Sequence, residues 1–174
     1  MNQSADSILL RTLLDHNVWA TGTLIDVCRA LDDGLIHRDH GFGPGSVHDT
    51  LLHIIAAMRR WADRIAARPD RPSLDRNGQR RSPPELRALL DEVGAELAAA
   101  AGDIVKEGRL DERGRIAIRD WPGPLDLPRA AMICHVLTHG AHHRAQVKRM
   151  LSGMGVRDLP DEDVISMVIE GPRA

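Results

Sequence analysis

Cys134-His135-Val136-Leu137-Thr138-His139-Gly140-Ala141-His142-His143-Arg144-Ala145-Gln146 holds four of the chain's nine histidines. Imidazole is the commonest protein metal ligand, and packing alone rarely calls for it at this density. On a helix, residues four apart lie one above the other, so His139 and His143 form a bidentate pair, and so do His135 and His139. One ion cannot take all three. Eight residues of helix rise about 12 Å, whereas imidazole nitrogens must come within about 2.1 Å of a metal. The apolar stripe Met132, Val136, Val147 and Met150 includes His143 and passes close to His139, while His135 and His142 fall toward its flank. The inward pair is therefore read as His139 and His143, with His135/His139 as the alternative register.

A pair on one helix needs a third ligand from another. Ser46 is a good N-cap, with Asp49 three residues on, and Val47, Leu51, Ile54, Met58, Trp61 and Ile65 then make a helical stripe to about Ala67. His53 lies on its shoulder and is the best third ligand. Asp49, one turn earlier, is read as a cap and as a partner that could orient His53. His48 points about 140° away from His53 and is a poor co-ligand.

The other segments read as follows. Residues 5–31 form a long helix capped by Ser4 or Ser7 and stopped by Asp32-Asp33-Gly34, and 32–45 form a loop. Residues 68–82 form a linker with an Asn77-Gly78 turn. From Arg59 to Arg81 there are eight arginines against three aspartates, either a solvated loop or a rim that attracts an anionic, carboxylate-bearing ligand. Ser82-Pro83-Pro84-Glu85 starts a third long helix, which Gly102 ends. Alternation in Arg115-Ile116-Ala117-Ile118-Arg119 and the turn Trp121-Pro122-Gly123-Pro124 predict a small hairpin or irregular flap that carries Asp120 and Trp121. The fourth long helix starts near Leu127 or Pro128 and runs to about Ser152. Asp161 to Ile169 make a short last one. The fold class expected is all-α: four amphipathic helices around one core, a single domain over residues 1–174.

Composition narrows the function. A net charge of −2 gives no global field for nucleic acid. No run is long and apolar enough for a membrane span, and the N-terminus lacks a signal-peptide pattern, so a cytoplasmic protein is expected. Cys28 and Cys134 make neither a disulfide framework nor a CxxC site and read as buried thiols. With three Trp, one Phe and no Tyr, the core must be aliphatic. His16 and Asn17 face either the site or a buried network. Trp19, Trp61 and Trp121 read as core or pocket wall, Arg144 as a bridge to an acid, and Gln146 as a residue near the face of His139.

Three motifs resemble those of one family. Asp15-His16-Asn17-Val18-Trp19-Ala20 is similar to its first-helix motif. Ser46-Val47 and Thr50-Leu51-Leu52-His53-Ile54 with Trp61 are similar to its second. His135-Val136, His139 and His142-His143-Arg144-Ala145-Gln146-Val147 are similar to its third, with Ala145 where glycine is common. The family is the DinB/YfiT-like group of metalloenzymes. The resemblance implies a four-helix bundle of up-down-down-up topology, a homodimer, and one divalent metal held by His53, His139 and His143. It also implies metal-dependent transfer or hydrolysis on a small-molecule substrate, in some relatives with a low-molecular-weight thiol such as mycothiol or bacillithiol. The metal would be Zn, Ni, Fe, Mn or Cu, since imidazole suits several of them. The alternative function is a non-catalytic metal-binding stress-response protein.

Overall fold

The computed structural model describes residues 5–75, 78–118 and 122–171. Ser4, Asn77, Asp120 and Trp121 lie outside the described residues. What is described is mostly helical, with one two-stranded sheet. The elements run α1 (Ala5–Cys28), α2 (Asp33–Ile36), α3 (Val47–Ile65), α4 (Pro83–Lys106), β1 (Arg113–Ile116), β2 (Leu125–Pro128), α5 (Arg129–Gly153) and α6 (Val164–Glu170). Helix α1 packs on α4 and α5, and α3 packs on the same two helices; α6 leans on α1. Between them lies an aliphatic core that includes Leu24, Ile25, Ile54, Ile55, Met58, Leu90, Leu97, Met132, Val136 and Val147, all buried.

Local chemistry sets the helix boundaries. Ser46 Oγ accepts from the Asp49 amide at 3.0 Å and opens α3. That helix closes with Ala67 at φ +55°, where the Ala67 amide donates to Arg64 O and the Arg68 amide to Asp63 O. This pair of bonds satisfies the last carbonyls. In front of α4, Glu85 Oε2 accepts from both the amide and the hydroxyl of Ser82, at 2.7 and 2.6 Å.

Four boundaries differ from expectation. The regular part of α1 stops at Cys28, and residues 29–31 continue only as tight turns. Asp32 does more than end it: Asp32 Oδ1 accepts from the Gly34 amide at 2.8 Å and starts α2, which buries Ile36 inside what reads as loop. Gly102 does not end α4. The helix carries on to Lys106 because Ile104 extends its buried stripe, and the burial outweighs the ~1 kcal/mol that glycine costs inside a helix. The hairpin is present, but its first strand begins at Arg113 and ends at Ile116, paired antiparallel with Leu125–Pro128. A further correction concerns Cys134. Its position on the outer face of α5 exposes it, whereas Cys28 is buried and its thiol is pushed up to about 12 by burial.

Arg129 ties the hairpin to the helices. It is buried, donates through Nη1 to Arg64 O, and donates through Nη2 to Glu112 Oε1 at 2.9 Å. Hydrogen bonds from Arg109 and Arg129 hold the Glu112 carboxyl at about 2, below its ordinary 4.5. A depressed acid of this kind stabilises the fold fully above its unfolded value, and the contribution is lost as pH falls through the folded value. Glu112→Gln is therefore expected to flatten the fall of Tm between about pH 4.5 and pH 2, measured by thermal melts at stepped pH. A slope in that window equal to wild type would contradict the assignment.

Candidate metal centre

His53 sits six residues into α3, and His139 and His143 sit one turn apart in the middle of α5. Because α3 packs along α5, the three rings meet. Ring centroids are 5.1 Å apart for His53 and His139, 4.8 Å for His53 and His143, and 4.4 Å for His139 and His143. One ring nitrogen from each lies within 4.8 Å of the other two, so the three could hold a metal ion.

The outer sides of two rings are engaged. Asp75 Oδ2 is 2.9 Å from His53 Nδ1, and Gln146 Oε1 is 2.8 Å from His143 Nδ1. Carboxylate and amide oxygens only accept, so each Nδ1 carries the proton and each Nε2 keeps its lone pair for the centre. Ser73 Oγ donates to Asp75, and Gln146 Nε2 donates to His142 Nε2 at 3.2 Å. Gly43 makes room for Gln146: with φ at +60°, a Cβ there would stand 2.7 Å from Gln146 Oε1. His139 Nδ1 is buried without a hydrogen-bond partner among the described residues. An orphaned ring nitrogen beside two aimed imidazoles fits a site built for a cation. Burial, then the neighbouring His143, His53 and His135 and the charge of Arg60, lower the His139 pKa to about 3, so the ring is neutral and able to ligate at pH 7. Burial outweighs the Gln146 bond and lowers His143 as well.

Asp75 was not found from the sequence. Burial raises its carboxyl, but the bonds from Ser73 and His53 and the charges of His53 and Arg60 outweigh that and hold it below the ordinary range. The sequence places it 22 residues beyond His53, in a linker with no periodicity. The one signal available was that Asp75 is the sole acid between Asp70 and Glu85. Asp49, read as a cap and as a partner that could orient His53, supports the cap by accepting from Ser46 Oγ at 2.8 Å and turns to His48 Nδ1, at 3.0 Å, rather than to His53. Asp75→Asn is expected to weaken metal binding by about 10–100-fold, the usual cost of losing an outer-shell partner. Competition with a chromophoric chelator measures it, and an unchanged Kd would count against the role.

The remaining candidates fall away from the centre. His135 and His142 are exposed; the His135 ring lies 4.7 Å from Trp61 and 5.7 Å from His139. His48 is buried near His37 and accepts the Arg81 amide at 3.1 Å. His16 Nε2 bonds Glu162 O at 2.6 Å. Asn17 is buried, accepts from Arg144 Nη1 at 2.8 Å and donates to Met58 Sδ. Arg144 also pairs with Glu162 at 3.3 Å, which makes it the bridge to an acid that its position suggested. Trp19 and Trp61 are buried in the core.

His53 also lines a cleft of about 910 Å³ together with Arg59, Arg60, Arg64 and Arg71. The arginine-rich segment is thus partly a rim, and much of its charge is already paired: Arg64 with Asp70, Arg71 with Asp63 and Glu96, and Arg68 with Asp63. No helix among the described residues is long and apolar enough to cross a membrane.

Comparison with known proteins bears on the fold and the family. Among curated proteins none matches the chain. Among solved structures, a DinB-like protein from Bacillus cereus ATCC 10987, determined by crystallography at 2.01 Å, is similar at a TM-score of 0.63 and 16% identity. The similarity covers 84% of this chain and 90% of that one, and at this identity it speaks to the fold alone. The sequence pattern of the DinB family matches residues 1–170, and the chain therefore belongs to the DinB family.

Proposed function

We propose that this protein binds one divalent metal through His53, His139 and His143 and uses it as a metal-dependent enzyme on a small molecule, by thiol-dependent transfer or a related transfer or hydrolysis. The observation that carries the reading is the convergence of three ring nitrogens within 4.8 Å, with His53 also on the wall of a 910 Å³ cleft. Three protein ligands leave coordination positions open, as catalytic sites do and closed structural sites do not. This favours an enzyme over a non-catalytic metal-binding protein. When bound, the ion supplies Lewis acidity that lowers the pKa of a thiol or water nucleophile toward neutral pH.

The chain's own residues do the positioning. Asp75 and Gln146 fix the tautomers of His53 and His143. Trp61 packs on His135, one turn before His139 on α5. In the same reading, the four long helices form an up-down-down-up bundle in one domain, supported by α1 and α3 each packing on α4 and α5. The homodimer that the family resemblance implies would cover Ile165, Val168 and Ile169, which α6 leaves exposed. Turnover of a thiol with an electrophile tests the activity. The rate should require added metal and vanish in His139→Ala; a rate indifferent to both would overturn the reading.

A further inference from the structure

A second cleft, of about 460 Å³, opens beside the first. It is bounded by Arg64, Arg68, Arg115 and Arg129, from α3, the turn after it, β1 and the start of α5. Arg64, Asp70 and Ala117 line both clefts, so the two adjoin where Arg64 Nη2 donates to Asp70 at 2.7 Å and to Ala117 O at 3.1 Å. We propose that they form one groove that takes an elongated small molecule with an oxyanion head group, a carboxylate or a phosphate, seated at Arg115 and Arg129 while its other end lies at His53.

Charge supports this. Seven arginines line the joined clefts against three aspartates, Asp63, Asp70 and Asp75. Glu96 and Glu112 pair with Arg71 and Arg129 from outside the groove, which leaves an excess of two positive charges in a chain whose net charge is −2. Low-dielectric walls of one sign focus potential on a ligand of the other. The excess is concentrated at the hairpin end. Arg115 is exposed on β1 and has no acidic partner among the described residues. Arg129 is buried beside it, and its Nε lies without a hydrogen-bond partner among the described residues. The Arg115 fork suits a planar oxyanion, which accepts two parallel N–H bonds, while Arg129, with Nη1 and Nη2 spent on Arg64 O and Glu112, adds its Nε alone. At the triad end, Asp75 is spent on His53 and Asp70 on Arg64, so neither repels the ligand with a whole unpaired charge.

The proposal rests on the metal-site reading only for which end of the ligand reacts. Calorimetric titration of the full-length protein as purified tests it, with metal content measured in every sample. The probes are glutarate, glycerol 3-phosphate and the uncharged glutaramide. At least one of the two anions should bind wild type, and which one binds separates carboxylate from phosphate. Arg115→Glu should weaken that binding at least tenfold without changing metal content, because Arg115 is exposed and far from the fold's interior. Raising the salt should weaken it too. The groove proposal is overturned if neither anion binds, if glutaramide binds as tightly as glutarate, or if Arg115→Glu binds as wild type does. A protein that binds the anion but holds no metal would keep the groove and remove the metal centre.

Discussion

Gly140→Ala is expected to lower the stability of the protein by about 1–3 kcal/mol, the range for overpacking a well-filled interior. On propensity alone the change should help, since alanine is favoured over glycine in a helix by about 1 kcal/mol. Packing reverses the sign. A Cβ at Gly140 would stand 2.4 Å from Asn17 Oδ1 and 3.1 Å from Arg144 Nη1. Asn17 cannot swing aside. Its Oδ1 accepts from Arg144 at 2.8 Å, its Nδ2 faces Met58, and the side chain is buried between α1, α3 and α5. Arg144 is held in turn by Glu162, so pushing it away would strand a buried guanidinium. Chemical denaturation of the variant measures the effect, and equal or greater stability than wild type would show that Asn17 and Arg144 are not fixed as described.

His139→Ala should reduce metal affinity on the order of 1,000-fold, well beyond the 10–100-fold that losing an outer partner costs. In the metal-free protein the same change should cost only about 1 kcal/mol. A half-buried imidazole whose Nδ1 finds no partner gives back part of its packing when it is removed. The contrast is diagnostic, because truncating a plain core side chain costs about 2–5 kcal/mol whether or not metal is present. Saturating metal should raise the Tm of wild type, adding about 2.7 kcal/mol of stability at a hundred times Kd, and leave the variant where it was. A variant that melts far below metal-free wild type would place His139 among structural core residues.

These expectations also mark what the sequence could carry. Helical period placed His53, His139 and His143 on inward faces, and Ser46 and Ser82 announced two helix starts by capping chemistry. Mostly helical structure and a hairpin before α5 were legible for the same reason: local patterns report local structure. Asp75 was not legible. Its bond to His53 spans 22 residues and depends on how an aperiodic linker folds back over α3. Gln146 was recognised as near the site, but its contact with His143 depends on rotamers and on the space that Gly43 leaves. Gly102 misled because one residue's propensity is smaller than the burial of the turn that follows it. The arginine excess was visible as a count, but only tertiary structure shows which arginines Asp63, Asp70 and Glu96 neutralise and that Arg115 and Arg129 line the adjoining cleft.

Elemental analysis of purified protein reloaded with a single divalent metal tests the central claim most directly, with wild type, His53→Ala and His135→Ala measured side by side. The account predicts one ion per chain in wild type and in His135→Ala and none in His53→Ala. Full metal in His53→Ala together with its loss in His135→Ala would contradict it, and would move the centre one turn along α5.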